Sequence, residues 1–164
     1  MNREDFPMLK DDIIYFDNGA TTLKPNQVKE AIVEYYDHYT ANAHRGDYAI
    51  SAKVDNIYEG TRHKIKEFIN ANEDSEIVFT SGSTQSMNYI ISGFFAHKLQ
   101  KDDEVLITVS EHASNILPWF VLANQIGIKV KYIELDKDYN VTIEIVKKAI
   151  TPKTKVISLA HITN

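Results

Sequence analysis

Cysteine is absent from the 164 residues, which removes disulfides, thiolate metal ligands and a cysteine nucleophile from the chemistry of the residues shown. Long hydrophobic runs are missing too: no apolar stretch approaches the roughly 20 residues needed to cross a bilayer. There is no excess of positive charge. Eighteen basic against 23 acidic residues give a formal net charge of −5, which argues against a general nucleic-acid or anionic-membrane binder. The opening MNREDFPMLKDD carries two acidic pairs and no apolar h-region, unlike a signal peptide, so the expected compartment is the cytoplasm. Internal repeats, low-complexity tracts and Pro/Gly/Ser-rich linkers are absent as well. What is there is ordinary globular composition, 43% hydrophobic, 25% charged and 10% aromatic, and a disordered chain would be poorer in large apolar residues. A chain of this length buries roughly 70% of its unfolded surface, enough for one core rather than two.

The pattern along the chain changes once. A short strand-like stretch, Ile13–Phe16, runs into the turn-forming cluster DNGATT. Asn26 reads as a helix cap before Val28, Ile32, Tyr35, Tyr36 and Tyr39, apolar at spacings of three and four. The small residues and glycine of ANAHRGDYA interrupt that helix, and a second follows through Val54, Ile57, Tyr58, Ile65, Phe68 and Ile69. The stripe Tyr35, Tyr36, Tyr39 reads as packing surface. From Ser75 onward short apolar runs alternate with helical segments: EIVFT, a helix through Met87, Ile90, Ile91, Phe94 and Phe95, then EVLITV, a helix from about Asn115 to Gln125, KVKYIEL, a helix around Ile143 to Ile150, and KVISLA, which reads as a buried strand. Strands alternating with helices predict βαβ units and a parallel sheet, hence an α/β fold. In such sheets ligands bind at the carboxyl ends of the strands. The sequence ends four residues after KVISLA, at His161-Ile162-Thr163-Asn164. A complete small four-stranded domain and the amino-terminal part of a larger enzyme both accommodate this.

Four segments carry chemistry. In Phe79-Thr80-Ser81-Gly82-Ser83-Thr84-Gln85 a strand passes into a helix. Glycine admits a close ligand, and the hydroxyls of Ser83 and Thr84 lie beside unpaired first-turn amides, a combination that suits a phosphate. Ordinary N-capping uses the same residue types. The segment is neither a Walker loop nor a G-x-G-x-x-G fingerprint. In Ser110-Glu111-His112-Ala113-Ser114-Asn115 a histidine follows a strand on the same rim, where an imidazole can stack on a planar cofactor, move protons, or simply hydrogen-bond locally. Metal is not expected, because no third ligand stands at a sensible spacing. In Ala43-His44-Arg45-Gly46 the guanidinium suits a carboxylate or phosphate, or the loop is solvated. At Asn164 the amide can bond a hydroxyl or carboxylate, or cap a helix.

Together and in this order, YFDNGATTLKP, NAHRGDYAISAKVDNIYEGTR, IVFTSGSTQSMNYI, SEHASNILPW and VISLAHITN resemble the pyridoxal-phosphate enzymes of the class V aminotransferase family, most of all SUF-type (group II) cysteine desulfurases. The resemblance runs from about Ile14 to Asn164. It implies part of a fold type I large domain, mainly parallel sheet with flanking helices, ending before the family's Schiff-base lysine. Residues 1–25 would be an N-terminal segment and 26–164 the N-terminal part of that cofactor-binding domain. It further implies that Thr84, with Ser83, contacts the phosphate of pyridoxal 5'-phosphate and that His112 stacks on the ring and serves in catalysis. By the same resemblance Asn164 lies near the ring oxygen and the substrate carboxylate. Ala20 would line the substrate side, and His44 and Arg45 would approach the site at a homodimer interface. Members often carry Arg-Gly-Thr-Thr-Glu where this chain has Ser81–Gln85, and His-His-Ala-Asn where it has His112–Asn115; the hydroxyls and first histidine are kept. The family's lysine, its ring-pairing aspartate and its persulfide-forming cysteine lie downstream of the Asn164 position. The implied parent converts L-cysteine to L-alanine and hands sulfur to an acceptor protein for iron–sulfur cluster assembly, while the 164 residues alone would be inactive. Neighbouring alternatives are a selenocysteine lyase, a kynureninase-like hydrolase or an epimerase of the same class. From a different class, the alternative is a non-catalytic phosphate-ligand-binding α/β module.

Overall fold

The computed structural model describes residues 2–163, which form two compact units, one up to Val78 and one from Phe79. The first is helical. Helix α1 (Asn26–His38) follows Pro25, whose extended backbone takes the cap position, so Asn26 is the first helical residue and not the cap. Helix α2 (Ala49–Ile69) ends on Asn70 in the left-handed conformation, a position asparagine tolerates. Of the predicted α1 stripe, Tyr39 is buried, whereas Val28, Ile32 and Tyr36 remain exposed. Between the helices, Gly46 lies against α2 so closely that a Cβ would meet Tyr48 at 2.5 Å and the buried Ser51 at 2.9 Å. Only glycine fits that approach. Ser51 donates to the Asn42 carbonyl at 3.1 Å, fastening the turn to the helix from the other side.

Two predicted strands do not form among the described residues. Ile13–Phe16 joins no strand ladder, with Ile14 76% and Phe16 92% exposed. EIVFT passes from a short 3-10 turn, Asp74–Glu76, into extended chain with Ile77 buried and Val78 exposed. β-propensity makes a segment ready to pair, but a strand exists only when a neighbour supplies the ladder.

The second unit is α/β, as expected. Helix α3 (Ser83–Asn88) continues without a break through a π turn, Tyr89–Phe94, and a 3-10 turn, Phe95–His97. Strand β1 (Glu104–Thr108) follows, then α4 (Ala113–Ile126), β2 (Lys129–Ile133), α5 (Ile143–Ala149) and β3 (Thr154–Ile157). The three strands are parallel in the order β2-β1-β3, with Val105 opposite Val130 on one side and Val156 on the other. The chain therefore leaves β1 in one direction and, after α5, returns to pair on the opposite side. That reversal puts the loops following β1 and β3 beside each other at the carboxyl edge, where open α/β sheets bind ligands.

All five residues of β1 are buried. Val105 and Ile107 join Ile91, Leu99, Trp119, Leu122 and Ile128 in the core, with the Phe95 ring tilted by 52° against Trp119 at 5.2 Å between centroids. Each fully buried side chain of this size contributes roughly 1.5–3 kcal/mol of transfer free energy. β3 is not the buried strand that its sequence suggests. Its residues alternate between partly covered and exposed, and Ile157 is 41% exposed, as befits an edge strand. Among the described residues no helix is long and apolar enough to cross a membrane.

At the amino end of β1 a buried carboxylate is fully engaged. Glu104 meets the Lys131 ammonium at 2.7 Å and accepts from the Thr151 hydroxyl at 2.7 Å, tying β1 to β2 and to the turn before β3. These two partners, Lys131 first, hold its carboxyl below the usual glutamate range. A carboxyl lowered on folding adds stability above its unfolded-state value and loses it as the pH falls through the folded-state value. Glu104→Gln should therefore lower the urea midpoint at pH 7. The gap to the parent should narrow as the pH falls below the carboxylate range, and a gap independent of pH would contradict this.

Candidate functional site

At the carboxyl edge of the second unit the backbone reaches α3 through Gly82, which has φ of +154°. Only a residue without a Cβ adopts that conformation freely, and a Cβ at this point would stand in open space. The first-turn amides of α3 have no acceptor within the helix, and no acidic side chain lies in that turn. Gln85 folds back to accept the Ser81 amide at 2.7 Å, and Thr80 and Ser86 share a hydroxyl contact at 2.8 Å. The loop is thus shaped by its own side chains. Ser83 and Thr84 are left exposed at the helix start.

Helix α4 begins on the facing loop. His112 occupies its N-cap position with extended backbone, and its Nδ1 accepts the Ser114 amide at 3.1 Å. An imidazole that accepts at Nδ1 carries its proton, when neutral, on Nε2. The Ser114 hydroxyl lies 3.0 Å from the same Nδ1 and 2.8 Å from the Thr84 hydroxyl. Thr84, Ser114 and His112 therefore form a continuous polar chain across 30 residues of sequence. Ser114 is the residue that links the two expected site members. The motif containing it was visible in the sequence, but nothing in the spacing singled out its hydroxyl.

The same loop holds a second, buried set. Glu111, 8% exposed, accepts from Thr108 Oγ1 at 3.2 Å, from Asn115 Nδ2 at 2.8 Å and from the Ala160 amide at 2.8 Å. Asn115 Oδ1 in turn accepts from the Ser158 hydroxyl at 2.6 Å and Trp119 Nε1 at 3.3 Å. These bonds fasten the end of β1, the start of α4 and the segment after β3 into one rim. His161 lies on that segment, exposed.

The remaining expected residues lie in the first unit. Ala20 is exposed in a turn and donates its amide to the Asp17 carbonyl at 3.2 Å. His44 adopts φ of 60°, its imidazole lying 3.6 Å from Asp55 and 3.2 Å from Glu59, edge-on to the Tyr58 ring at 5.8 Å. Arg45 follows it, exposed in the turn. Asn164 lies outside the described residues. Among the described residues no group of three or more His, Cys, Asp or Glu is placed to hold a metal ion.

The capping role of His112 can be separated from any ligand role. His112→Ala removes the side-chain acceptor at the start of α4 and should cost on the order of 1 kcal/mol in urea unfolding. His112→Asn, which restores an acceptor at the cap, should recover most of it. Equal loss in both variants would show that the imidazole stabilises the loop by other contacts.

Residues 14–164 match the family described as Aminotransferase class-V. A probable cysteine desulfurase of Borreliella burgdorferi is 44% identical over 168 residues, covering 99% of this chain and 40% of that protein. The cysteine desulfurase CsdA of Escherichia coli is 34% identical over 162 residues, covering 99% and 40%. Among solved structures, the apo cysteine desulfurase of Thermococcus onnurineus superposes with a TM-score of 0.89 at 38% identity, covering 99% of this chain and 40% of that one. The chain thus spans about 40% of the length of the relatives it matches. The fold, the order of the motifs and the match over nearly the whole sequence agree: the chain belongs to the class V aminotransferase family.

Proposed function

We propose that this chain forms the amino-terminal part of the large domain of a pyridoxal-phosphate-dependent cysteine desulfurase, with residues 26–164 contributing to the cofactor-binding domain. The observation that carries the reading is the polar chain Thr84–Ser114–His112 at the carboxyl edge of the sheet. Hydroxyls and first-turn amides, with no carboxylate in that turn, match a phosphate dianion, so the residues present fit the phosphorylated end of that cofactor. The named activity of the similar proteins, cysteine desulfurase, supports the choice within the family.

In this reading Ser83, Thr84 and the first amides of α3 hold the phosphate, and His112 lies against the ring with its proton on Nε2, available to a group on the substrate. Asn164 bonds the ring oxygen or the substrate carboxylate. Ala20, His44 and Arg45 form the substrate side, completed in a homodimer. The cofactor, once bound, supplies an electron sink for the substrate α-carbon. The substrate is L-cysteine, the products are L-alanine and enzyme-held sulfur, and the sulfur goes on to an acceptor protein of cytoplasmic iron–sulfur cluster assembly. The residues shown contain no cysteine. A thiolate that takes up the sulfur must therefore come from elsewhere, and the 164 residues by themselves should release no alanine from L-cysteine.

Two measurements test this. The natural polypeptide containing the chain, supplied with pyridoxal phosphate, should convert L-cysteine to alanine, and His112→Ala should suppress that turnover far more than it lowers stability. Removing both hydroxyls, Ser83→Ala with Thr84→Val, should weaken pyridoxal phosphate but not pyridoxal. A hydrogen bond to a charged group is worth about 1.5–3 kcal/mol, so the loss should reach one to a few powers of ten. Equal weakening of both ligands would reduce these residues to helix caps and remove the main support for the reading.

A further inference from the structure

We propose that Glu111 is a positioning residue of the cofactor site: its buried carboxylate clamps the segment after β3 to the loop that carries His112. The inference rests on the cofactor site just proposed and adds a residue to which the site residues above assign no role.

Glu111 is a charged group out of solvent, and it is held entirely by acceptor geometry. Its Oε1 takes the Ala160 amide at 2.8 Å and the Thr108 hydroxyl at 3.2 Å, and its Oε2 takes Asn115 Nδ2 at 2.8 Å. Two of these donors cannot be reversed. A backbone amide only donates. Asn115 is fixed in orientation because its Oδ1 accepts from Trp119 Nε1, an indole that also only donates. The Ser158 hydroxyl, at 2.6 Å from the same Oδ1, comes from the strand end that leads to Ala160. Four parts of the rim thus depend on one acceptor-only group: the end of β1, the His112 loop, the start of α4 with its buried Trp119, and the segment 158–163. His112 is the next residue to Glu111, and Asn164 is the fourth after Ala160. A change at Glu111 should therefore shift the His112 loop and the segment 158–163 while the hydrophobic core below, centred on Val105, Ile107 and Leu122, keeps its packing.

Substituting an amide tests this directly. In Glu111→Gln the new NH2 must face either the Asn115 NH2 or the Ala160 amide, donor against donor. In Asn115→Asp a second carboxylate faces Glu111. Glu111→Gln combined with Asn115→Asp restores the pattern: the amide at position 111 accepts from Ala160 and Thr108 and donates to the carboxylate at position 115, which still accepts from Trp119 and Ser158. One weak contact stays mismatched, the one between position 115 and the Ser158 carbonyl at 3.3 Å.

The experiment uses the natural polypeptide, with pyridoxal phosphate as the probe. Three quantities are followed: hydrogen exchange of the Ala160 amide, the visible circular dichroism of the bound cofactor, and its dissociation constant, with the urea midpoint as control. Each single variant should speed Ala160 exchange, change the dichroic band and weaken the cofactor about tenfold or more, the scale of one mismatched buried donor. The double variant should regain most of all three. A double variant no better than the worse single would overturn the proposal. So would faster Ala160 exchange accompanied by an unaltered band and unaltered affinity, which would make Glu111 a structural residue only and leave the proposed function standing. A wild-type protein that acquires no band would count against the proposed function, and the positioning role would fall with it.

Discussion

Everything at the carboxyl edge depends on the burial of one strand between two parallel partners. β1 has neighbours on both sides, and all five of its residues are out of solvent. Its inner side chains, Val105 and Ile107, meet Trp119 and Leu122 of α4, so the helix that begins at His112 is anchored by the same core as the strand that precedes it. Because β3 pairs with β1 and not with β2, the loops after β1 and β3 emerge together. A parallel sheet with its chain direction reversed about a central strand creates a polar crevice at that point without any dedicated element. Two buried carboxylates mark the two ends of this strand region: Glu104 at its entry, paired with Lys131, and Glu111 just past its exit, held by three donors. The first ties the sheet together, and the second ties the rim.

The alternation of apolar runs and helical segments after Ser75 was sufficient to place β1, α4, β2, α5 and β3, because each pattern is local and the core satisfies it. EVLITV and KVKYIEL became strands that start where expected and stop one or two residues early. Where pairing decides the outcome, the pattern misled. Ile13–Phe16 and EIVFT have strand composition but no ladder among the described residues, and KVISLA forms an edge strand with an exposed isoleucine. Pro25, not Asn26, took the cap of α1, since proline's fixed φ serves as well at a helix entrance.

The candidate site was legible for its chemistry and not for its connections. Gly82, Ser83, Thr84 and His112 stand out as residue types at strand-to-helix junctions, and the structure brings the hydroxyl of Thr84 to the His112 ring through Ser114. Ser114 and Glu111 were visible only as members of a motif. Their roles come from partners 30 and 49 residues away, contacts that no local spacing encodes. Ala20, His44 and Arg45 were placed by the family resemblance, and in the first unit His44 is engaged by Asp55 and Glu59 of α2.

In the proposed reading the Gly82–Thr84 loop and His112 form the two walls of a pyridoxal-phosphate site. A crystal structure of the natural polypeptide grown with pyridoxal phosphate tests it most directly. The phosphate should lie within hydrogen-bond distance of the Thr84 hydroxyl and the first amides of α3, with the His112 imidazole against the ring. Cofactor bound elsewhere, or a phosphate held without either Ser83 or Thr84, would contradict it.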